Sequence, residues 1–177
     1  QASVGALTTL GSGEAPGILL TPNGLILNFD GNIEGYGQVD TTKDGTTSPL
    51  LNNGSISGMS SDKPITLTAT VNGVGSFDNV VMDGTYTPGF SPGLISNGAV
   101  VYSDRNTIEI ELGGYLPGSQ HDRIEHTSAE LGGKLVISLI DGYIPRPGAI
   151  LEVIQSTTDF TGAFDSIELP EAVEGRR

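Results

Sequence analysis

The chain of 177 residues contains no cysteine, so disulfides and thiolate metal sites are excluded. That absence does not argue against export, because many bacterial extracellular proteins lack the residue. Tryptophan is also missing, which weakens any case for a broad sugar-stacking platform. Basic side chains are scarce: 8 Lys and Arg stand against 21 Asp and Glu, for a net charge of −13. Binding a polyanion requires clustered Lys and Arg, so nucleic acid and anionic membrane surfaces are poor partners. No run of about 18 apolar residues exists, and nothing in the sequence reads as a membrane insertion. No basic, apolar signal segment opens the chain; Gln1-Ala2-Ser3 suits either a processed mature end or a fragment boundary. Helix-forming stretches of Ala, Leu, Glu, Lys and Arg are nearly absent.

What remains is rich in turn formers, with 26 glycines and 10 prolines, 36% hydrophobic and only 16% charged residues. The β-branched runs are too many for a disordered chain, and the composition reads as all-β. Strands are predicted at residues 24–29, 65–71, 77–82, 99–102, 107–112, 134–140, 150–155 and 166–169, bounded by Gly, Asn, Asp and Pro. In Thr107-Ile108-Glu109-Ile110-Glu111-Leu112 the aliphatic residues share one face and the acids the other, the period-2 pattern of a half-buried strand.

Internal similarity suggests how the strands are arranged. Ile33-Glu34-Gly35-Tyr36-Gly37-Gln38-Val39-Asp40 matches Val71-Asn72-Gly73-Val74-Gly75-Ser76-Phe77-Asp78, and Ser55-Ile56-Ser57-Gly58 is a shorter version. Glu111-Leu112-Gly113-Gly114 recurs as Glu130-Leu131-Gly132-Gly133. Spacings of roughly 19 to 23 residues suit one rung of a β-solenoid. Such a strand cannot bury its apolar face alone, but stacked rungs bury a continuous core, and Gly, Asn and Asp tolerate the sharp corners. The expected fold is an all-β β-solenoid, a right-handed β-helix with Gly/Asx-cornered rungs. The C-terminal half reads either as a continuation or as a β-sandwich-like part. The expected organisation is residues 1–84, a Pro-Gly turn seam at 85–93, and residues 94–177, since Pro88-Gly89 and Pro92-Gly93 favour type II turns.

Part of the chain resembles a known group. Pro88-Gly89, Ser91-Pro92-Gly93, Ile108-Glu109-Ile110 with Gly113-Gly114, and Pro117-Gly118-Ser119-Gln120-His121-Asp122-Arg123-Ile124 carry the likeness. Leu131-Gly132-Gly133-Lys134-Leu135, Pro147-Gly148, Phe160-Thr161-Gly162-Ala163-Phe164 and Leu169-Pro170 continue it. From about residue 84 to 170 the chain resembles extracellular bacterial surface proteins with autotransporter-like β-strand segments, often sorted by a PEP-CTERM tail. The resemblance implies export, a β-helical or β-rich passenger, and a place in the cell envelope or extracellular matrix. It implies no catalytic residues. The sorting tail and membrane anchor of such proteins have no counterpart here.

Chemistry-bearing motifs are few. His121-Asp122-Arg123-Ile124-Glu125-His126 resembles a metalloprotease box, but the spacing of histidine and glutamate fits no standard form and no helix carries it. Strand geometry would point 121 and 126 to opposite sides. Asp40-Thr41-Thr42-Lys43-Asp44-Gly45 resembles the start of a calcium loop, with oxygen side chains at alternate positions and Gly sixth. Leu51 stands where a bidentate Glu should be, so this is not an EF-hand. Asp40, Thr42 and Asp44 are nevertheless the best Ca²⁺ candidates, and no other cofactor is expected. A polysaccharide-degrading enzyme would need two convergent carboxylates, usually with a base and Ca²⁺. Lys and Arg are sparse for that purpose, although Tyr36, Tyr86, Tyr102, Tyr115 and Tyr143 offer stacking surfaces or corner packing. Asn53-Gly54-Ser55 fits an N-glycosylation acceptor weakly.

The resulting expectation is a secreted, non-enzymatic structural protein of the cell surface or extracellular matrix. Copies of the chain would assemble through strand edges or solenoid ends into a filament, sheath or layer. Ser3-Val4-Gly5-Ala6-Leu7-Thr8-Thr9-Leu10 would serve either as an exchanged strand or as a partner of its own first rung. The alternative is a monomeric adhesion module that binds extracellular polysaccharide.

Overall fold

The computed structural model describes residues 2–11, 14–90 and 92–170, among which all regular structure is β and there is no helix. The chain winds through stacked rungs. The first comprises β1 (Ala2–Val4), β2 (Leu7–Leu10) and β3 (Gly17–Leu20), and the second β4 (Leu25–Leu27), β5 (Asn32–Gly35) and β6 (Gly37–Asp40). A hairpin of β7 (Thr42–Lys43) and β8 (Thr46–Thr47) is inserted before β9 (Pro49–Asn52), β10 (Ser55–Gly58) and β11 (Ile65–Thr68). There follow β12 (Thr70–Asn72), β13 (Ser76–Asp78) and β14 (Val80–Met82), then β15 (Thr85–Tyr86) and β16 (Leu94–Tyr102). The last strands are β17 (Thr107–Leu112), β18 (Arg123–Leu131), β19 (Lys134–Leu139), β20 (Ile154–Ser156), β21 (Thr161–Gly162) and β22 (Ser166–Glu168).

Strands at equivalent positions pair in parallel with the rungs above and below. Sheet I runs β1-β4-β9-β12-β15-β17-β19-β22, sheet II runs β2-β5-β10-β13, and sheet III runs β3-β6-β11-β14-β16-β18-β20, with β21 also on β18. Among the described residues the one antiparallel pair of strands is the β7–β8 hairpin. In the later rungs β16 and β18 are single long strands. Their inward positions shift phase between Asn97 and Val100 and between His126 and Ala129, which marks a bend where the earlier rungs turn from sheet II to sheet III.

The core is the lumen enclosed by the three sheets. Leu25, Leu50, Val71, Tyr86, Ile108, Leu135 and Ile167 form one inward column of sheet I. Ile33, Ile56 and Phe77 form another in sheet II, and Val39, Leu67, Met82 and Tyr102 a third in sheet III. Each fully buried aliphatic side chain contributes about 1.5–3 kcal/mol, and only stacking supplies that burial.

Corners explain the glycines. Gly35 and Gly37 have φ of 118° and 134°, and a Cβ on either would run into the carbonyl of Leu10 or of Gly17 on the rung below. The two copies of the apolar-x-Gly-x-Gly-x-apolar-Asp unit therefore mark corners and not the rung period. Ile33–Asp40 spans the corner from sheet II to sheet III, whereas Val71–Asp78 spans the corner from sheet I to sheet II. Ile33 is registered with Ile56, which is registered with Phe77. The Glu-Leu-Gly-Gly pair likewise ends strands of different sheets, β17 in sheet I and β18 in sheet III. Rungs are unequal because their loops are unequal. Hydrogen-bonded neighbours on adjacent rungs lie 16 positions apart for Thr87 and Val71, 23 for Ser55 and Asn32, and 32 for Gly133 and Asp165.

Sheets I and III both continue across residues 85–93 and on into the C-terminal strands. At that seam Gly89 (φ 78°) exchanges backbone hydrogen bonds with Gly73, which anchors the Pro-Gly turn against the preceding rung. Residues 77–82, read from sequence as one strand, are two, with Asn79 at φ 50° making the corner between them.

Candidate functional site

Three features of the stack bear on function: its ends, a groove on sheet I, and a polar patch in the lumen. At the ends, β1 and β22 terminate sheet I, while β3 and β20 terminate sheet III. Each terminal strand has one edge of N–H and C=O groups with no neighbouring strand among the described residues. Ile108 is fully buried in its inward column and Leu135 is 7% exposed, yet Ile167, the next member, is 57% exposed. The inward column of sheet I thus ends in a largely exposed residue at the C-terminal end, among the described residues. At the other end Ile18 and Leu20 lie exposed on the outer face of β3. The N-terminal stretch that sequence offers for exchange is paired within its own chain, Ala2 with Leu25 and Leu7 with Asn32.

A groove of about 810 Å³ crosses the outer face of sheet I, lined by Leu51, Asn72, Phe90, Glu109, Glu111 and Asp122 among others. Outward alternation in β17 places Glu109 and Glu111 on its floor. Asp122 is buried at its rim, and its two carboxylate oxygens accept hydrogen bonds from the N–H of Gly93 (2.7 Å) and of Glu111 (2.8 Å). Burial, with a smaller contribution from the Glu111 charge, raises its pKa above the usual carboxylate value. Asp122 ties the start of β16 to β17, a role not legible in sequence because the three partners lie far apart along the chain.

The lumen patch brings together residues from all three sheets. Tyr86 enters from sheet I and Tyr102 from sheet III, while Asn97 and His126 are registered neighbours on β16 and β18. The Tyr102 hydroxyl lies 3.1 Å from His126 Nε2, and the ring of Tyr86 meets Phe77 edge-on. The Oδ1 of Asn97 accepts from the N–H of Phe77 at 3.1 Å. The Tyr86 hydroxyl, Asn97 Nδ2 and His126 Nδ1 are buried without a hydrogen-bond partner among the described residues. Burial raises the pKa of both tyrosines and lowers that of His126 to about 4.

The histidines do not sit on opposite faces of one strand. His121 precedes β18 in a turn, buried, with Nδ1 3.1 Å from the Gly114 carbonyl, while His126 points into the lumen. Asp40, Thr42 and Asp44 fall at the hairpin. The Asp40 carboxylate accepts the Thr42 N–H at 2.7 Å, and that bond lowers its pKa. Asp44 (φ 50°) and Gly45 (φ 76°) are the two central residues of the hairpin turn, the conformation that an Asp-Gly pair favours. Among the described residues no group of three or more His, Cys, Asp and Glu side chains is placed to hold a metal ion. Of the tyrosines offered as stacking surfaces, Tyr86 and Tyr102 are in the lumen, and Tyr115 packs edge-on against Tyr143.

The fold is that of an all-β, solenoid-like chain. No protein family, no curated protein and no solved structure matches it.

Proposed function

We propose that the chain is a secreted structural protein of a bacterial surface or extracellular matrix, built as a right-handed β-helix that stacks end to end with copies of itself. The observation that carries this reading is the C-terminal mouth, where an inward core residue, Ile167, is 57% exposed beside a parallel edge that has no neighbouring strand among the described residues. In end-to-end stacking, β22 of one copy lies beside β1 of the next, and β20 beside β3. Both additions preserve parallel polarity and extend the lumen columns. Contacts of this head-to-tail kind generate open polymers when the rotation does not close. The reading assigns no catalytic residue.

Negative-stain electron microscopy of the purified chain, with and without millimolar Ca²⁺, tests it. Filaments or ordered layers are expected. Ile167→Lys, which places a charge in the mouth, should convert them to discrete particles. Calcium dependence that disappears in Asp40→Asn would assign the Asp40, Thr42 and Asp44 loop a metal. Discrete particles for the unaltered chain at all concentrations would overturn stacking. A second reading, a polysaccharide-binding module, is favoured by the groove, whose lining includes the exposed Phe90 together with Glu109 and Glu111. A glycan screen that returns ligands lost in Phe90→Ala would support it.

A further inference from the structure

We propose that His126 is an acid-sensitive latch: its neutral form closes the lumen beneath the last rung, and its protonation opens that rung, beginning with β20.

The geometry makes the charged form hard to house. Asn97, His126 and Ser156 are consecutive members of one inward column, so His126 sits a single rung below the C-terminal mouth. The ring has one polar contact, Nε2 with the Tyr102 hydroxyl at 3.1 Å, whose direction follows the tautomer, and Nδ1 has no hydrogen-bond partner among the described residues. The charged ring must donate from both nitrogens. Tyr102 can accept one of these bonds, and the N–H at Nδ1 is left without an acceptor whichever tautomer the neutral ring had. The ring would carry a positive charge in a buried lumen that offers no anionic partner among the described residues, a costly state unless water or an anion reaches it.

Among the described residues no carboxylate acts on the ring, and burial alone governs its titration. The titratable groups that enter the lumen there are Tyr102 from β16 and, beyond it, Tyr86 from β15. Arg123, Glu125 and Glu152 pair with one another outside the lumen. His121 and Asp122 occupy the turn before β18. The elements packed against the ring on the mouth side, Ile154, Gln155 and Ser156, have no ionisable side chain.

The neighbour of His126 on the mouth side is β20. That strand is held by three registered residues, by the bond from the Thr157 N–H to the His126 carbonyl (3.0 Å), and by hydroxyls of Ser156, Thr157 and Thr158 on the Thr127 carbonyl. It is an edge strand, so its release breaks one interface only.

The sign follows from linkage. The folded-state pKa of His126 is lowered to about 4 from 6.5. As pH falls below 6.5 the opened form takes up a proton that the closed form cannot, and opening becomes roughly tenfold more favourable per pH unit until about pH 4. Loss of β20 would also remove the C-terminal edge of sheet III. That consequence rests on the stacking reading, whereas the latch itself does not.

Hydrogen exchange of the monomeric chain, corrected for the intrinsic rate at each pH, tests the latch without requiring filaments. Amides of residues 154–157 should lose protection about tenfold per unit between pH 6 and 4.5, while those of β5 and β10 hold theirs. In His126→Gln, which keeps a hydrogen-bonding side chain without a proton to gain, that slope should flatten. An unchanged slope in the variant, or simultaneous loss of protection in β5, overturns the proposal. Should the variant fail to fold, NMR titration of His126 in the unaltered chain decides: a ring signal static from pH 7 to about 5 supports the latch, and titration near 6.5 overturns it.

Discussion

Gly37 and Gly45 are both at positive φ, yet they differ in what surrounds them. A Cβ at Gly37 would strike the backbone of Gly17 on the rung below, whereas nothing lies within 4 Å of the same atom at Gly45. Gly37→Ala should therefore destabilise by about 1–3 kcal/mol or more, and Gly45→Ala by only the local cost of its turn conformation. Urea unfolding of the two variants measures the contrast. In the lumen, Ile110 has no exposed surface, so Ile110→Ala should cost about 2–5 kcal/mol through lost transfer energy and the remaining cavity. The two unusual ionisable groups near the C-terminal rungs act in opposite directions on acidification. Asp122 has a raised pKa, so its ionised form is the strained one, and a fall in pH through that value relieves the strain. His126 has a lowered pKa, and about 3 kcal/mol of stability present above pH 6.5 is lost by pH 4. Acid weakening of the last rungs is thus assigned to the histidine.

Strands were legible where alternation ran long enough to count. Residues 107–112 match an observed strand in full because six consecutive positions alternate between Ile or Leu and Glu or Thr. The run 77–82 hid a corner, since Asn79 turns the chain from sheet II to sheet III inside what reads as one apolar segment. The first half of β16 was invisible for another reason: Asn97, a polar residue, takes an inward position and breaks the pattern. Glycine spacing was informative but reported corners, and a three-cornered rung offers more than one corner to match. The Asp-Gly pair at 44–45 suits a calcium loop in sequence because a metal loop and a hairpin turn want the same two residues. The polar patch could not be seen at all, because Tyr86, Asn97, Tyr102 and His126 come from three strands of two sheets and converge only after coiling. At this scale the β7–β8 hairpin is an insertion outside the rungs. Its base is closed by the Ser48 N–H to the Thr41 carbonyl at 3.1 Å. Replacing residues 42–47 by a short Gly-Ser linker should leave stability within about 1 kcal/mol of the parent, as read by the same urea transition.

The whole molecule carries a net charge of −13, so copies that stack through the proposed ends must overcome mutual repulsion. Added salt screens that repulsion, with a Debye length near 10 Å at 0.1 M. Assembly should accordingly strengthen from 20 to 300 mM NaCl, seen as growth of the fast-sedimenting fraction in analytical ultracentrifugation, and Ile167→Lys should abolish the growth. A decrease with salt would point to ionic pairing between ends in place of apolar contact. The serial order of sheet I, from β1 to β22, also sets how the molecule bears load. Tension applied between its first and last strands pulls along the axis on which the rungs are stacked. Each rung is held to the next by a parallel ladder, and such a pull opens these ladders by peeling, one after another. Resistance would therefore come in small repeated steps, and a tethered layer of such chains would lengthen rung by rung under strain while the rungs not yet reached stayed intact.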